Sequence, residues 1–394
     1  MHIILPYLAT GTMFSRLILS ELLISDFLIL LSANPKLLIS IKKSHYLTQV
    51  LVSRNTANID YHWKASTMTV SNGKLYFIFC IAFTISSFTR ISAQNDSVII
   101  HQNTIAGTKD SPDSFKTVSY KPEFISSLPK TVKETSGLVF FDGQLWTMND
   151  GGNPPEIFQI DTATGNILRK VVIGNTVNTD WESITQDDSN LYIGDFGNNY
   201  GNRKDLRILK IAKTDLDKPA KDTIQAGSIY FRYPDQVDFT PALNANNFDC
   251  EAFFFHNDSL HLFSKDWTDL QTRHYVIPAD TGSYGARYIE QFHADGLITD
   301  ASINELGNIV LLGYKNTGGR FWDCFCWLLT ESNDSHYFKA KKTRIELGSA
   351  FHLGQSEGIV LNNDNKAWLS SESIRVICIN HPAKLFRLDL SKYF

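Results

Sequence analysis

The chain has 394 residues, of which 43% are hydrophobic and 20% charged, and its formal net charge is −4. The acidic excess is larger in residues 95–394, which hold 38 acidic and 29 basic side chains; this argues against nucleic acid as a partner, because phosphate contacts depend on Lys and Arg clusters. The length is enough for one large domain or two smaller ones.

The first 93 residues differ in character from the rest. Residues 68–93 contain one lysine, then the apolar run 75–85, and they end in residues 91–93, Ile-Ser-Ala. This order is typical of a secretory signal peptide cleaved after Ala93, and the run is shorter than the about 20 residues of a membrane span. Residues 1–67 are interpreted as a segment upstream of the true start or a weak membrane anchor. We expect an exported chain without a stable membrane span, in the periplasm, on the cell surface or outside the cell.

Residues 94–114 are predicted to form a flexible linker, and residues 115–394 contain one motif five times. Each copy is a short acidic or polar element followed by an apolar strand, a turn and a second strand. The residues before the apolar anchors are Gly137, Ser183, Ala252, Ser302 and Gly358, with spacings of 46, 69, 50 and 56. Blades of a β-propeller are about 40 to 50 residues long. The repeats therefore predict blades with loop insertions.

The first copy contains the four strands expected of a blade. They are predicted at 137–141, 144–148, 156–160 and 167–173. The last copy supplies only three strands, and residues 115–120 form an isolated β segment that can complete it and remove an open edge. We predict an all-β fold, a single propeller of five four-stranded blades closed by this N-terminal strand. Six blades is the alternative if one copy is degenerate.

The cysteines are predicted to be buried free thiols. Cys80 lies in the predicted signal peptide, which leaves Cys250, Cys324, Cys326 and Cys378. Cys324 and Cys326 are two residues apart, so a strand places them on one face, where they do not bond each other. No second pair or His at zinc-finger spacing accompanies them. Whether Cys378 pairs with Cys324 or Cys326 stays open.

Acidic residues come before or at the start of the predicted innermost strands. Those strands line a propeller's channel, and the residues before them face one mouth of it. The seven candidates are Glu134, Asp180, Glu182, Asp249, Glu251, Asp300 and Glu357. Converging carboxylates need a cation, hydrogen-bond donors or protonation, and Ca²⁺ binds oxygen ligands. The sequence predicts a calcium site, with further oxygens from Asn149, Asp150, Asp195 and Asn198; the alternative is a set of ordinary turn residues.

Other chemical signals are weaker. The tryptophans are expected to pack within the blades, and Trp181, between two acidic residues, is the candidate among them for a stacking surface for a sugar or another ring. The histidines have no HxH or HExxH spacing, and the chain has no GxSxG motif. We find no nucleophile paired with a base.

The strings 179–184, 191–199 and 203–208 resemble secreted bacterial β-propeller proteins. Residues 355–359 and 134–138 are similar to blade motifs of esterase-like and phytase-like propellers and, more distantly, of calcium-dependent lactonase propellers. The resemblance covers about residues 115–394.

This resemblance implies that Glu182, Glu251 and Glu357 bind calcium, which polarises a substrate oxygen or activates water. Ser136 and Ala301 stand at the glutamate position in the other two copies.

We predict an exported, monomeric propeller that binds a small-molecule or surface ligand, with calcium at the channel mouth. The alternative is a calcium-dependent hydrolase of phosphoesters or lactones, with Glu182 or Glu251 as general base. Only the hydrolase requires a metal with an open coordination position and a nearby unpaired carboxylate.

Overall fold

The computed structural model describes residues 69–71, 74–76, 115–217, 222–318, 322–330, 336–376 and 379–394. The chain divides into two compact units, Met1–Asn103 and Thr104–Phe394. In the first, the strands β1 (Thr69–Ser71) and β2 (Lys74–Tyr76) pair antiparallel. The predicted upstream segment, the linker and the rest of the predicted signal peptide lie outside the described residues.

Among its described residues, the second unit is built from five large sheets, one additional two-stranded sheet and four short helical turns. In chain order its strands are β3 (Lys116–Ser119), β4 (Glu123–Ser127), β5 (Thr135–Phe141), β6 (Gln144–Asn149), β7 (Glu156–Ile160), β8 (Ile167–Ile173), β9 (Trp181–Gln186), β10 (Asn190–Asp195), β11 (Arg207–Ala212), β12 (Thr223–Ile224), β13 (Gly227–Arg232), β14 (Asp249–His256), β15 (Ser259–Lys265), β16 (Thr272–Pro278), β17 (Gly282–Gly285), β18 (Arg287–Phe292), β19 (Leu297–Ile303), β20 (Ile309–Lys315), β21 (Asp323–Thr330), β22 (Lys341–Ser349), β23 (Ser356–Leu361), β24 (Lys366–Ser371), β25 (Ile374–Val376), β26 (Ile379–His381) and β27 (Lys384–Asp389). The helical turns are the 3-10 turns Lys130–Val132 and Tyr337–Lys339 and the α-helices α1 (Lys213–Leu216) and α2 (Ala350–Leu353). No helix within the described part of the chain is long and apolar enough to cross a membrane.

The five sheets are the blades of a propeller. From the innermost strand outward, blade one is β5-β6-β7-β8-β12, blade two is β9-β10-β11-β13-β17, blade three is β14-β15-β16-β18, blade four is β19-β20-β21-β22-β3, and blade five is β23-β24-β27-β4. Each innermost strand contacts the innermost strands of both neighbouring blades, which closes the ring. The prediction of a five-bladed propeller is therefore confirmed. Three blades gain a fifth strand that pairs in parallel at the outer edge.

An N-terminal strand closes the last blade, but it is not the predicted one. The closing strand is β4, which pairs antiparallel with β27, and Phe124 packs edge-to-face on Phe386 at 5.9 Å. The predicted segment, residues 115–120, contains β3, which pairs in parallel with β22 of blade four instead. Val118 of β3 packs against the core shared by blades four and five. Both segments are short and β-forming, so their composition does not distinguish the edges that they cover.

The hydrophobic core consists of five clusters, one between each pair of adjacent blades. The innermost strands are buried on both faces; β9 and β14, for example, are buried over nearly their whole length. Burial on both faces therefore encloses the polar residues of these strands as well as the apolar ones. A fully buried Ile184 or Phe253 contributes about 1.5–3 kcal/mol relative to an exposed side chain. The ring thus fixes the ends of the innermost strands, where the acidic residues lie.

Cys250, Cys324 and Cys326 are buried free thiols, as predicted. Cys324 and Cys326 lie in the same core cluster between blades four and five. Burial raises the pKa of Cys324 to about 11 and that of Cys250 to about 12, so both thiols stay protonated at neutral pH. Cys378 lies outside the described residues.

Candidate metal centre

The repeated motif coincides with a register shift in every innermost strand. Between that strand and the next, two residues oppose one, as in a β-bulge. The residues left out of the pairing in blades two to five are Glu182, Glu251, Thr299 and Glu357. A bulge redirects a side chain from the regular alternation. Three of the four bulge positions therefore present a carboxylate at the same end of the channel, which we call the acidic mouth.

In copy four, the position of the bulge differs from the one that the sequence alignment indicates. The sequence placed Ala301 opposite the glutamates, but the bulge position is Thr299. Asp300 then occupies the place of Ser183, which follows the bulge in blade two. Its carboxylate accepts hydrogen bonds from Ser183 Oγ and from the Ile359 backbone N–H, both at 2.6 Å. Asp300 thus links blades two, four and five and is not part of the acidic mouth.

Asp150, Asp180 and Glu182 form a close group of carboxylates. One oxygen from each lies within 4.8 Å of an oxygen of the other two. Asp180 comes directly before β9, Glu182 lies in β9, and Asp150 follows β6 of blade one. We call these three residues the carboxylate triad.

Two glycines make room for the triad. A Cβ atom at Gly197 would overlap Glu182 Oε1 and Asp180 Oδ2, and one at Gly151 would overlap Asp180 Oδ1. Any side chain at either position would displace the carboxylates. The local sequence therefore leaves space for carboxylate oxygens at both turns.

The triad has few hydrogen-bond donors. Glu182 is 7% exposed, and within the described residues no donor reaches its carboxylate or that of Asp180. Asp150 accepts a bond from the Gly151 backbone N–H. Burial, together with neighbouring carboxylates, raises the pKa of Asp150 to about 7 and that of Asp180 to about 6, and it raises that of Glu182 well above its usual range. The triad forms no salt bridge with the described residues, although the charges of Lys265 and Arg203 act on it from farther away. Three hard oxygen ligands of this kind form a donor set that fits Ca²⁺.

The other half of the mouth contains its own cation. Both oxygens of Glu251 accept bonds from Lys265 Nζ, at 2.5 and 2.6 Å. The ammonium group also lies 4.9 Å from the ring centre of Trp267 and 5.1 Å from that of Tyr314. Although burial alone would lower it, the charge of Glu251 raises the pKa of Lys265 well above its usual range. This pair is a buried salt bridge, so Glu251 is not available as the general base suggested by the sequence.

Glu357 and Glu372 are carboxylates that blade five contributes to the acidic mouth. Glu357 Oε1 accepts a bond from Gln355 Nε2 at 2.6 Å. Burial raises the pKa of Glu357 to about 7 despite this donor and the charge of Lys265. Burial and the charges of Glu357 and Asp150 raise the pKa of Glu372 well above its usual range.

The remaining candidates have other partners. Asp249 accepts bonds from the Asn198 N–H, Asn199 Nδ2 and Trp267 Nε1, at 2.6, 3.1 and 2.7 Å. Glu134 lies at the rim and accepts bonds from Asn153 and Lys133, which lower its pKa. These carboxylates are satisfied by donors within the protein.

Three of the four additional oxygen donors expected from the sequence are also engaged. Asp195 forms salt bridges with Arg203 and Arg207, at 3.1 and 2.8 Å. Asn149 Oδ1 and Asn198 Oδ1 each accept a backbone N–H. Only the fourth, Asp150, joins the triad.

Sequence reasoning missed Lys265 and Glu372. Lys265 ends β15, and Glu372 directly follows β24, the second strands of blades three and five. The end of a second strand returns to the mouth where the first strand begins. The same rule suggested Asp150 and Asp195. Applying it to every copy would also have found Lys265 and Glu372.

Trp181 does not offer the predicted stacking surface. Its side chain is fully buried in the core between blades one and two. It is a core residue of β9, a strand buried over nearly its whole length, so the acidic residues that flank it in sequence do not expose it.

No protein-family model matches the chain, and no curated protein matches it. Similar solved structures include an α-L-arabinofuranosidase from Podospora anserina, at 9% identity and a TM-score of 0.33 over 70% of this chain and 99% of that chain. A glucose dehydrogenase has 7% identity and a TM-score of 0.40 over 66% and 98% of the two chains. A β-1,3-galactosidase has 12% identity and a TM-score of 0.38 over 64% and 89%. The class, a β-propeller, is defined by the ring of five sheets itself.

Proposed function

We propose that this protein is an exported, calcium-binding β-propeller whose ion, held by Asp150, Asp180 and Glu182, binds an oxygen-bearing ligand at the acidic mouth. The observation that carries the proposal is the buried Glu182 carboxylate, which lies beside two others and receives no donor or cation from the described residues. A buried polar group without a partner costs free energy. A bound cation would remove that cost.

Coulomb's law shows why a cation is favoured over three bare charges. Two unit charges 4.8 Å apart repel by roughly 3.5 kcal/mol at an effective dielectric constant near 20. Without metal, the triad must bind protons, which is the direction of all three pKa shifts. Bound calcium would supply a Lewis-acidic position for a ligand oxygen such as a carboxylate, phosphate or carbonyl. The fixed turns at Gly151 and Gly197 would hold the carboxylates around it.

Calcium titration of the purified protein tests the proposal. A ligand that binds only the folded state stabilises it by about 2.7 kcal/mol at 100 times its Kd. We expect calcium to raise the thermal midpoint over that in EDTA, and Asp180→Asn and Glu182→Gln to lose the rise. Asp142→Asn is the matched control, because Asp142 lies in an exposed turn with positive φ, which Asn also adopts. An equal rise in all variants would place calcium elsewhere, and no rise in the wild type would reject the metal.

The alternative hydrolase is favoured by one observation, the buried Glu357. Its pKa of about 7 suits a group that exchanges protons at neutral pH. Because Glu251 is bound to Lys265 and Glu182 would be a ligand, Glu357 replaces both as the candidate general acid or base. It would accept the proton of a water that attacks a phosphoester or lactone. The phytase-like and lactonase-like activities suggested by the motifs belong to this alternative.

Glu357→Gln separates the two functions. A calcium-dependent hydrolase would lose at least tenfold in kcat on a phosphoester or lactone substrate while its calcium affinity is retained. A binding module would show no calcium-dependent turnover in either form. Turnover that survives in Glu357→Gln would assign the proton transfer to another group.

A further inference from the structure

The opposite end of the channel holds a cavity of about 470 Å³. The ends of all five innermost strands line it, together with the turns that follow β19 and β23. Along β19, Asp300 precedes the lining residues Ala301 and Ser302, and its hydrogen bonds to blades two and five cross the channel there. We call this opening the second mouth. Its volume lies in the range of roughly 300–1,000 Å³ found for small-molecule sites.

Hydrogen bonds between two turns hold the rim of the second mouth. Asn304 Nδ2 donates to Asn362 O and to Asn365 Oδ1, at 3.1 and 2.9 Å. The backbone N–H of Glu305 donates to Asn363 Oδ1 at 3.1 Å. The turn after β19 and the turn after β23 are thus fixed to each other, so the rim is formed before any ligand arrives. Preorganisation of this kind reduces the entropy cost of binding.

The fixed rim carries both donors and acceptors that are unused. Within the described residues, no hydrogen bond involves the side-chain amide nitrogens of Asn362 and Asn363. The carboxylates of Glu305 and Asp364 likewise have no donor or ion-pair partner there, and both residues are exposed. A ligand that engages all four groups must both donate and accept hydrogen bonds.

An aromatic ring lies in the wall of the same cavity. Phe140 lines the cavity and stacks on Trp368, with ring centres 5.0 Å apart and planes inclined by 11°. Trp368 supports one face of Phe140, and both rings are partly exposed. A supported aromatic ring offers an apolar surface to the C–H face of a flat ligand.

The charge of the lining limits the ligand class. The lining residues include Glu305 and Asp364 but no Lys, Arg or His, so an anion would meet repulsion without compensation. A simple cation has no acceptor for the two amide donors. Hydroxyl groups both donate and accept, and a sugar ring has a C–H face. We propose that the second mouth binds a neutral saccharide, independently of calcium.

Saturation-transfer NMR on the purified protein tests this proposal with glucose, galactose, maltose and cellobiose as neutral probes. Glucose 6-phosphate serves as the anionic probe and choline as the cationic probe. We expect saturable binding of at least one neutral sugar, weakened at least tenfold in Phe140→Ala and in the Asn363→Ala/Asp364→Ala double variant. The double variant changes exposed side chains, so it keeps the test valid if Phe140→Ala does not fold.

Two controls connect binding to the second mouth. Leu306→Ala changes an exposed neighbour outside the lining and should bind as the wild type does. Glu182→Gln and EDTA act at the other mouth and should leave sugar binding unchanged. The proposal is overturned if no neutral sugar binds, if only choline or glucose 6-phosphate binds, or if EDTA abolishes binding.

Discussion

The two halves of the acidic mouth contain the same kind of side chain but differ in what surrounds it. Around Glu251, the protein supplies its own cation, Lys265, at 2.5 Å. Asp150, Asp180 and Glu182 form no salt bridge within the described residues, and their pKa values rise because burial and mutual repulsion outweigh the more distant charges of Lys265 and Arg203. The difference teaches that a group of acids points to a metal only where internal partners are missing.

Asp249 and Asp300 show a third way to stabilise a buried carboxylate, which is hydrogen bonding to neutral donors. Asp249 accepts three hydrogen bonds and Asp300 accepts two, all from neutral donors of the protein. Asp249 connects blade three to blade two, and Asp300 connects blade four to blades two and five. A salt bridge, a carboxylate group without internal partners and a set of neutral hydrogen-bond donors each predict a different response to mutation.

The largest effect is expected from Lys265→Met, which leaves Glu251 buried without its cation. Removing one partner of a buried ion pair costs about 3–5 kcal/mol, because the remaining charge is uncompensated. Urea unfolding at pH 7 should show this loss. The Lys265→Met/Glu251→Gln double variant should recover most of it, since both charges are then absent.

Lys315→Met is the matched control for that prediction. Lys315 pairs with Asp295 at 2.5 Å, but both side chains are substantially exposed, so the expected loss is about 0–1 kcal/mol. Equal losses for Lys265→Met and Lys315→Met would show that the buried pair has no special role.

Asp300→Ala should have the next largest effect on the metal-free protein. It leaves Ser183 Oγ and the Ile359 N–H without an acceptor, at about 1–3 kcal/mol for each buried group that stays unsatisfied. Asp300→Asn keeps one acceptor oxygen and should lose about half as much. Both variants should retain the calcium response in thermal unfolding, because Asp300 is not part of the triad. Loss of that response would place Asp300 within the site.

The five-bladed fold could be predicted from the sequence because the repeated motif lies at the start of the innermost strands. Glu182, Glu251 and Glu357 mark bulges at equivalent places, so their motif revealed the blade count. Copy four has Thr299 at its bulge. Because it lacks the glutamate, the sequence alignment placed the bulge position of this copy two residues too late, at Ala301. The closing strand was misassigned because pairing at a sheet edge depends on chain path rather than on composition.

The candidate site was less accessible to sequence reasoning. The motif marked Asp180 and Glu182 as neighbours of the channel, but their partners come from other blades. Whether an acid meets Lys265, a backbone N–H or another acid depends on contacts between residues far apart in the chain. Local patterns carry no information on such pairs.

Glu182→Gln should move stability in the direction opposite to that of Lys265→Met. In EDTA, the substitution removes one of three repelling carboxylates, so we expect the variant to be more stable than the wild type by about 1 kcal/mol at pH 8. With saturating calcium the order should reverse, because only the wild type gains the free energy of binding. Urea unfolding in both buffers measures the two differences. A variant that is less stable in EDTA as well would show that Glu182 has an internal partner.

The most gradual effect, spread over several pH units, is expected from the proton on Glu357. Its pKa is about 7 in the folded protein against an ordinary value of 4.5, so the folded state binds the proton more tightly than the unfolded state. This contribution to stability is complete below about pH 4.5 and is lost as the pH rises through about 7, at no more than about 1.4 kcal/mol per pH unit. Glu357→Gln cannot ionise, so its stability relative to the wild type should increase over this interval in EDTA. Taking the difference between the two proteins cancels other titrating groups, such as His261, whose pKa burial lowers to about 3. A constant difference from pH 4.5 to 7 would mean that Glu357 is ionised throughout and belongs with Glu251 to the half of the mouth that Lys265 neutralises.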